Sequence, residues 1–390
     1  MRKNQTMSTP FWRDKRIIPI LLQTLFAIIV VLAFIFFITN ALEGLRQIGI
    51  TLGFTFLKNA ASFGIGDTII AYTPADSYVR ALLVGLTNTL KVSIFGIILA
   101  TIIGFIVGIS RLSSNWLVRT IAGIYTEIFR NTPLLVQILI WFFAVFIQLP
   151  RIEEQVHIGP IYFSNRGMAI PWLEANSGSF IWGLVLLVGI IGGIFLWKSK
   201  TTKRIETGKN TYPLLWSIGS LIIASIIAIL ITRTGPFNIT IPSVDGKMFV
   251  GGYRLRPEFS AILIGLVIYT STYIAEVVRA GIQGVPKGQV EAAKALGLKG
   301  PTTMRFVVLP QAIRIIIPPL TSQYLNLIKN SSLAVAVGYP DLVSVGGTIL
   351  NQTGRAIELI LIMVIVYLTF SIITSIFMNI FNSKFQLVER

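Results

Sequence analysis

The chain has no cysteine in 390 residues, so disulfides and thiolate metal sites are both excluded. His157 is its single histidine. Glu153, Glu154 and a Gly159-Pro160 turn flank it, which reads as a loop residue, because zinc sites draw on several nitrogen or sulfur ligands; no metal site is expected. Charge is scarce too. Only 13% of residues are charged against 54% hydrophobic, and the mean hydropathy is +0.76, too little polar side chain to cover a water-soluble globule. A phosphate-cradling G-x-x-x-x-G-K-[ST] loop is also missing: Gly208-Lys209 and Gly246-Lys247 lack the upstream glycine and the following hydroxyl.

What remains is an integral membrane protein. The net charge of +17 is distributed between long apolar runs, which suits lipid headgroups and not nucleic acid. Runs long enough to cross roughly 30 Å of hydrocarbon occur near 17–39, 82–110, 131–149, 180–197, 213–232, 258–283, 306–330 and 356–381. The first follows Arg2, Lys3, Arg13, Lys15 and Arg16, exceeds a signal-peptide core and lacks an A-x-A cleavage site, so it is expected to be retained. The fold class is therefore all-α and polytopic, with about eight spans. Placing both termini in the cytoplasm puts nearly twice as many basic residues on the inner side as on the outer. The loops 40–81, 150–179 and 233–257 then lie outside.

Two spans carry breaks. Residues 116–149 would make a straight helix of roughly 50 Å, and Asn131-Thr132-Pro133 is the natural interruption, since proline removes a donor and disfavours helix before it. A helix over 116–130 is expected at the inner face. In the seventh span Pro310, Pro318 and Pro319 suggest an interrupted helix whose freed carbonyls line a cavity, or a kink satisfied by its neighbours. Gly104 and Gly108 read as close helix packing. Lys91, beside Thr87, Asn88 and Thr89, faces a cavity or snorkels outward.

Polar residues near the breaks form the candidate substrate path: Asn131, Thr132, Gln137, Gln323, Asn326, Asn330, Ser331 and Ser332. Amides and hydroxyls supply both donors and acceptors to a zwitterion, although such residues also serve as packing links between helices. Glu127 with Arg130, and Glu276 with Arg279, are spaced to pair on one helix face. Each pair either anchors a helix end or acts as a gate whose ion pairs re-form between helices.

The segment "EAAKALGLKGPTTMRFVVLP", 291–310, sits in an expected cytoplasmic loop, 284–305. Lys287, Glu291 and Lys294 share one side of a short helix, with Val290, Ala293 and Leu296 on the other; Pro286 suits its start and Gly297 its end. Small alanines permit close approach of a partner, and an interfacial helix on lipid is the alternative.

This segment resembles the EAA signature of ABC importer permeases, with Glu291, Ala292, Ala293, Gly297 and Pro310 matching. "TLKVSIFGIILATIIGFIVGISRLSS", "EIFRNTPLLVQ" and "YIAEVVRAGIQGVPKGQVEAAKALGL" extend the resemblance to the polar and general amino acid (histidine and glutamine importer) branch, over 82–149 and 258–381. The long layout is similar to the general or neutral L-amino acid permeases. The resemblance implies a five-helix permease core in 82–149 and 258–390, preceded by 1–81 and interrupted by an insertion, 150–257, with two extra spans. It implies a coupling helix seated in a separate ATP-binding subunit that holds ATP and magnesium, no cofactor on this chain, a second and unlike permease subunit, a periplasmic amino-acid-binding protein, and the bacterial inner membrane. The expected function is alternating access for L-amino acids of neutral or broad specificity, without covalent chemistry. A secondary transporter or a channel is the rival reading, weakened by the lack of a deep carboxylate relay.

Overall fold

The computed structural model describes residues 17–47 and 52–385; the basic residues Arg2, Lys3, Arg13, Lys15, Arg16 and Arg390 used in the orientation argument lie outside them. Helix α1 (Ile17–Gln47) is apolar on every side, and its described side chains are exposed, as befits a helix whose solvent is lipid. Helix α2 (Tyr78–Ser110) starts at Ser77, whose hydroxyl accepts from the Arg80 amide.

Helix α3 (Trp116–Asn131) is capped by Asn115, whose carbonyl oxygen accepts from the Leu117 and Val118 amides. Its Trp116, Leu117, Ile121, Ile124 and Ile128 are exposed while Ala122 and Thr126 are buried. After Pro133 the chain turns by 102° into α4 (Leu134–Leu139), continued by a π-helical stretch, Ile140–Phe146. The break therefore falls where the sequence places it. Among the described residues the bent pair is the eighth candidate crossing beside seven long apolar helices.

The loops 150–179 and 233–257 are more ordered than the sequence suggests. Residues on both sides of a helical hairpin build short antiparallel strands: β1 (Val156–Ile158), β2 (Ile161–Ser164), β3 (Gly167–Ile170) and β4 (Trp172–Ala175) before it, and β5 (Phe237–Thr240), β6 (Ser243–Asp245), β7 (Met248–Val250) and β8 (Tyr253–Leu255) after it. The sheets run β1-β2-β3-β8, β4-β5 and β6-β7. Two of the loops, 150–179 and 233–257, thus join through β3-β8 and β4-β5. Strands of three or four residues carry too little alternation to be seen in sequence. The hairpin between them is α5 (Ser179–Thr207) and α6 (Pro213–Thr232). Gly189 and Gly193 let α6 approach, and the Ser217 and Ser220 hydroxyls donate to the Gly193 and Gly189 carbonyls at 2.9 and 3.2 Å.

Helix α7 (Pro257–Gln283) lies at the centre and runs parallel to α2. A Cβ at Gly104 would sit 2.6 Å from Ile274 Cβ, and one at Gly108 2.7 Å from the Ala275 carbonyl oxygen, so these glycines do hold α2 against α7. Past α7 come α8 (Lys287–Ala295), α9 (Gly300–Thr303), a π-helical turn over Met304–Val308 and α10 (Leu309–Asn330). Then follow a 3-10 stretch, Ser331–Val337, α11 (Leu342–Thr353) and α12 (Ala356–Phe385).

The seventh span is not interrupted at its prolines. Pro318 and Pro319 are inside a continuous α10, where Ile316, Ile317 and Leu320 are buried in the same core as α7, so packing holds the helix that the prolines weaken. The irregularity comes earlier. The π turn widens the backbone ahead of Pro310, whose ring in a regular turn would press on the Phe306 carbonyl.

Candidate functional site

Mid-length on α7, Tyr269, Thr270 and Tyr273 face Gln323, Asn326 and Asn330 of α10 around a cavity of about 340 Å³. Gln323, Asn326 and Asn330 share a face because their spacing of three and four residues follows the helical turn; Tyr269 and Tyr273 do the same on α7. The two phenol oxygens are 3.0 Å apart. The Arg130 guanidinium stands 5.6 Å from the Tyr273 ring centre. The wall itself holds no ionised group, only amides and hydroxyls able to donate and to accept.

Three of the eight sequence candidates thus meet in one place. The other five make different contacts. Gln137, buried at the bend, donates through Nε2 to the Phe129 and Thr132 carbonyls at 2.7 and 2.9 Å, stapling the break that Pro133 opens. Thr132 donates to the Ile128 carbonyl, and Asn131 to Glu127 Oε2 at 3.3 Å. Ser331 and Ser332 donate back to Ile328 and Lys329. The tyrosines escaped the sequence reading because they sit inside an apolar run; their i, i+4 spacing was the available signal.

At the α8 end of α2 and α7 lies a charged knot. Glu276 accepts from Arg279 on its own helix and from Arg111 Nη1 at 2.5 Å across from the end of α2, while Arg279 Nη1 donates to Gln283 at 2.6 Å. The expected Glu276–Arg279 pair forms and gains Arg111, a partner that spacing cannot reveal. The expected Glu127–Arg130 pair does not form: Glu127 bonds Asn131, and Arg130 turns to Tyr273.

Helix α8 ends in a Schellman turn. The Gly297 amide donates to Lys294 at 2.9 Å and the Leu298 amide to Ala293 at 3.1 Å, with Gly297 at φ +77°, a conformation suited to glycine. Ala293 is buried and Val290 packs on the core, whereas Glu291 and Ala292 are exposed. Leu296 departs from the expected apolar face: it lies just beyond the helix and is 80% exposed. Pro310 opens α10, after the π turn. The result is a capped helical projection with Leu296 exposed at its end.

Lys91 does face a cavity, one of about 380 Å³ walled by Phe95, Trp172, Tyr253 and Phe259 and separate from the α7–α10 one, and being buried it does not snorkel. Its ammonium pairs with Asp67 at 3.0 Å and lies 4.3 Å from the Phe259 ring centre, at the end opposite α8. Asn88 reinforces this joint by donating to the Asp67 and Pro340 carbonyls.

Residues 210–387 match the family described as "Binding-protein-dependent transport system inner membrane component". The chain is 44% identical to "General L-amino acid transport system permease protein AapQ" of Rhizobium johnstonii, over 93% of this chain and 91% of that protein. It is 46% identical to "Putative amino-acid ABC transporter permease protein YhdX" of Escherichia coli, over 90% of each. It is 38% identical to "Glutamate/glutamine/aspartate/asparagine transport system permease protein BztB" of Rhodobacter capsulatus, over 97% of this chain and 96% of that one.

Proposed function

Because the chain belongs to the inner-membrane permease components of binding-protein-dependent ABC transporters, we propose that its α7–α10 cavity is the station through which L-amino acids of broad or neutral type cross a bacterial inner membrane. The observation carrying this reading is the uncharged, donor- and acceptor-rich wall of Tyr269, Tyr273, Gln323, Asn326 and Asn330. Such a wall solvates both ends of a zwitterion without holding either by a fixed counter-charge, so the substrate binds and leaves. The named relatives include a general L-amino acid permease and one for acidic amino acids and their amides, which supports breadth. They lend nothing to a secondary transporter or a channel.

In this reading α8 lies in the cytoplasm, with both termini, and seats in an ATP-binding subunit through Glu291, Ala292, Ala293 and the turn at Gly297. ATP and magnesium act there and not on this chain. Closure of that subunit presses α8, and through the Arg111–Glu276–Arg279 knot it shifts α2 against α7, changing the side to which the cavity opens. Glu127 and Arg130 sit beside the same inner opening. Asn326 is exposed on this single chain, which suits completion of the cavity by a second, unlike permease subunit, with a periplasmic binding protein delivering substrate. Segments 82–149 and 258–390 form the core, with 1–81 leading into it and 150–257 as an added module.

The test is ATP-driven uptake of radiolabelled L-glutamine into vesicles holding this chain, its membrane partner, the ATPase and the binding protein. Gln323→Ala with Asn326→Ala is expected to raise KM by roughly a hundredfold or more, since each lost hydrogen bond to a charged group is worth about 1.5–3 kcal/mol, while the assembled complex still purifies intact. Unchanged KM in an intact complex would remove the cavity from the path.

A further inference from the structure

A second chamber lies at the end of α7 opposite α8. It encloses about 250 Å³ between the segment around Gly66, the start of α7 and the turn from Gly338 into α11. Two charged side chains line it, Arg256 and Glu258, along with Tyr339, Ser344 and Thr348. Among the described residues no ion pair or hydrogen bond engages either charged side chain, and they do not pair with each other. Glu258 Oε2 is fully shielded yet has no partner, which native structures rarely leave so. The Arg256 guanidinium passes directly over Gly66, where even a Cβ would overlap its Nη1, so the backbone there is shaped to admit it.

An unpaired guanidinium and an unpaired carboxylate sharing one small chamber are complementary to a molecule carrying both charges. We propose that this chamber is a second binding site for a free α-amino acid, its carboxylate held by the fork of Arg256 and its ammonium by the Glu258 carboxylate. A guanidinium matches a carboxylate through two parallel N–H donors, and an ammonium supplies a donor to the unpartnered carboxylate once that side chain turns its shielded oxygen toward the chamber. The remaining volume admits a small or medium side chain. The site is distinct from the α7–α10 cavity: Tyr269 lies eleven residues along α7 from Glu258, roughly 17 Å at the helical rise. Here the substrate is held by charge, in contrast to the neutral wall further along, so the two sites suit capture and then release. That the chamber faces arriving substrate rests on the proposed orientation; the binding itself does not.

Binding of [14C]L-alanine to the assembled importer in lipid nanodiscs, without binding protein or ATP, tests this. The background is Gln323→Ala with Asn326→Ala, which silences the central cavity. Arg256→Gln and Glu258→Gln are each expected to weaken alanine binding roughly tenfold or more, with Arg256→Lys restoring part of it. Propionate should compete in Glu258→Gln but not in Arg256→Gln, and ethylamine the reverse, a crossed pattern that misfolding cannot produce. Thr348→Phe, which fills the chamber without touching either charge, should also exclude alanine. Alanine binding absent in the background, or unmoved by all these changes, overturns the proposal. So does a loss confined to affinity for the binding protein on the same discs, which would make the pair a docking contact. In each case ATP-driven uptake by the unsubstituted importer, measured separately, shows whether the importer reading still stands.

Discussion

Arg111, at the C-terminal end of α2, donates to Glu276 of α7 at 2.5 Å, and the same carboxylate holds Arg279. One acidic side chain thus joins two helices at the end where α8 projects. All three side chains are partly exposed, so solvent screens the pairing and its contribution to stability is modest, roughly 1 kcal/mol. Glu276→Gln should therefore lower the thermal midpoint only slightly yet uncouple ATP hydrolysis from transport. The check is the ratio of hydrolysis with and without substrate-loaded binding protein, expected to fall toward one. Arg111→Lys, which keeps the charge but loses the fork, should fall between.

The α2–α7 seam is close, and Gly104 sets its distance. Gly104→Ala forces a Cβ onto Ile274 and is expected to destabilise by about 1–3 kcal/mol, as overpacking does. Gly123→Ala is the control, since nothing lies within 4 Å of a Cβ there. Thermal unfolding in detergent should show a lowered midpoint for the first and an equal or higher one for the second.

Gly297→Val should strain the Schellman turn, because a β-branched residue at φ +77° costs on the order of 1–2 kcal/mol. Leu296→Asp leaves the turn intact but puts charge on its exposed tip. Both variants, and Glu291→Ala, are expected to insert in the membrane at normal levels while pulling down less ATPase subunit. Normal recovery of that subunit with all three would contradict the docking role of α8.

Asp341 caps α11 by accepting from the Ser344 amide at 2.8 Å, and burial pushes its carboxyl up to about 6 from 3.8, against the lowering effect of the Ser344 and Val343 amides. A raised acid binds its proton more tightly folded than unfolded. Its stabilising contribution is therefore whole below 3.8 and lost as pH climbs through about 6, a change of about 3 kcal/mol at most. Asp341→Asn keeps an acceptor for the cap and has no proton to lose. The difference in thermal midpoint between the native chain and this variant should shift against the native chain between pH 4 and 6, and stay flat above 7.

Much of this architecture can be read from the chain itself. Apolar runs locate the long helices because hydrocarbon demands them, Pro133 marks the bend because it removes a donor, and Gly104 with Gly108 announces a close seam. The site is less legible. Gln323, Asn326 and Asn330 declare a common face by their spacing, but which helix they meet depends on tertiary packing. Arg111 lies 165 positions from Glu276, and no local pattern links them. The prolines of α10 misled because propensity describes an isolated helix, whereas buried Ile316, Ile317 and Leu320 hold this one. Strands β3 and β4 pair with β8 and β5 across an intervening membrane hairpin, beyond the reach of any local reading.

That pairing makes the hairpin a closed excursion. Ala175 and Phe237 stand opposite one another in the β4-β5 ladder, and Asn176 ties the departing chain to the Gly235 carbonyl at 3.0 Å. The polypeptide therefore leaves and comes back through a single doorway. A rigid fiducial protein grafted onto the far tip of the hairpin, near Gly208, would ride on an arm whose root is already clamped, giving particle images an orientation mark without rerouting the helices around the α7–α10 cavity.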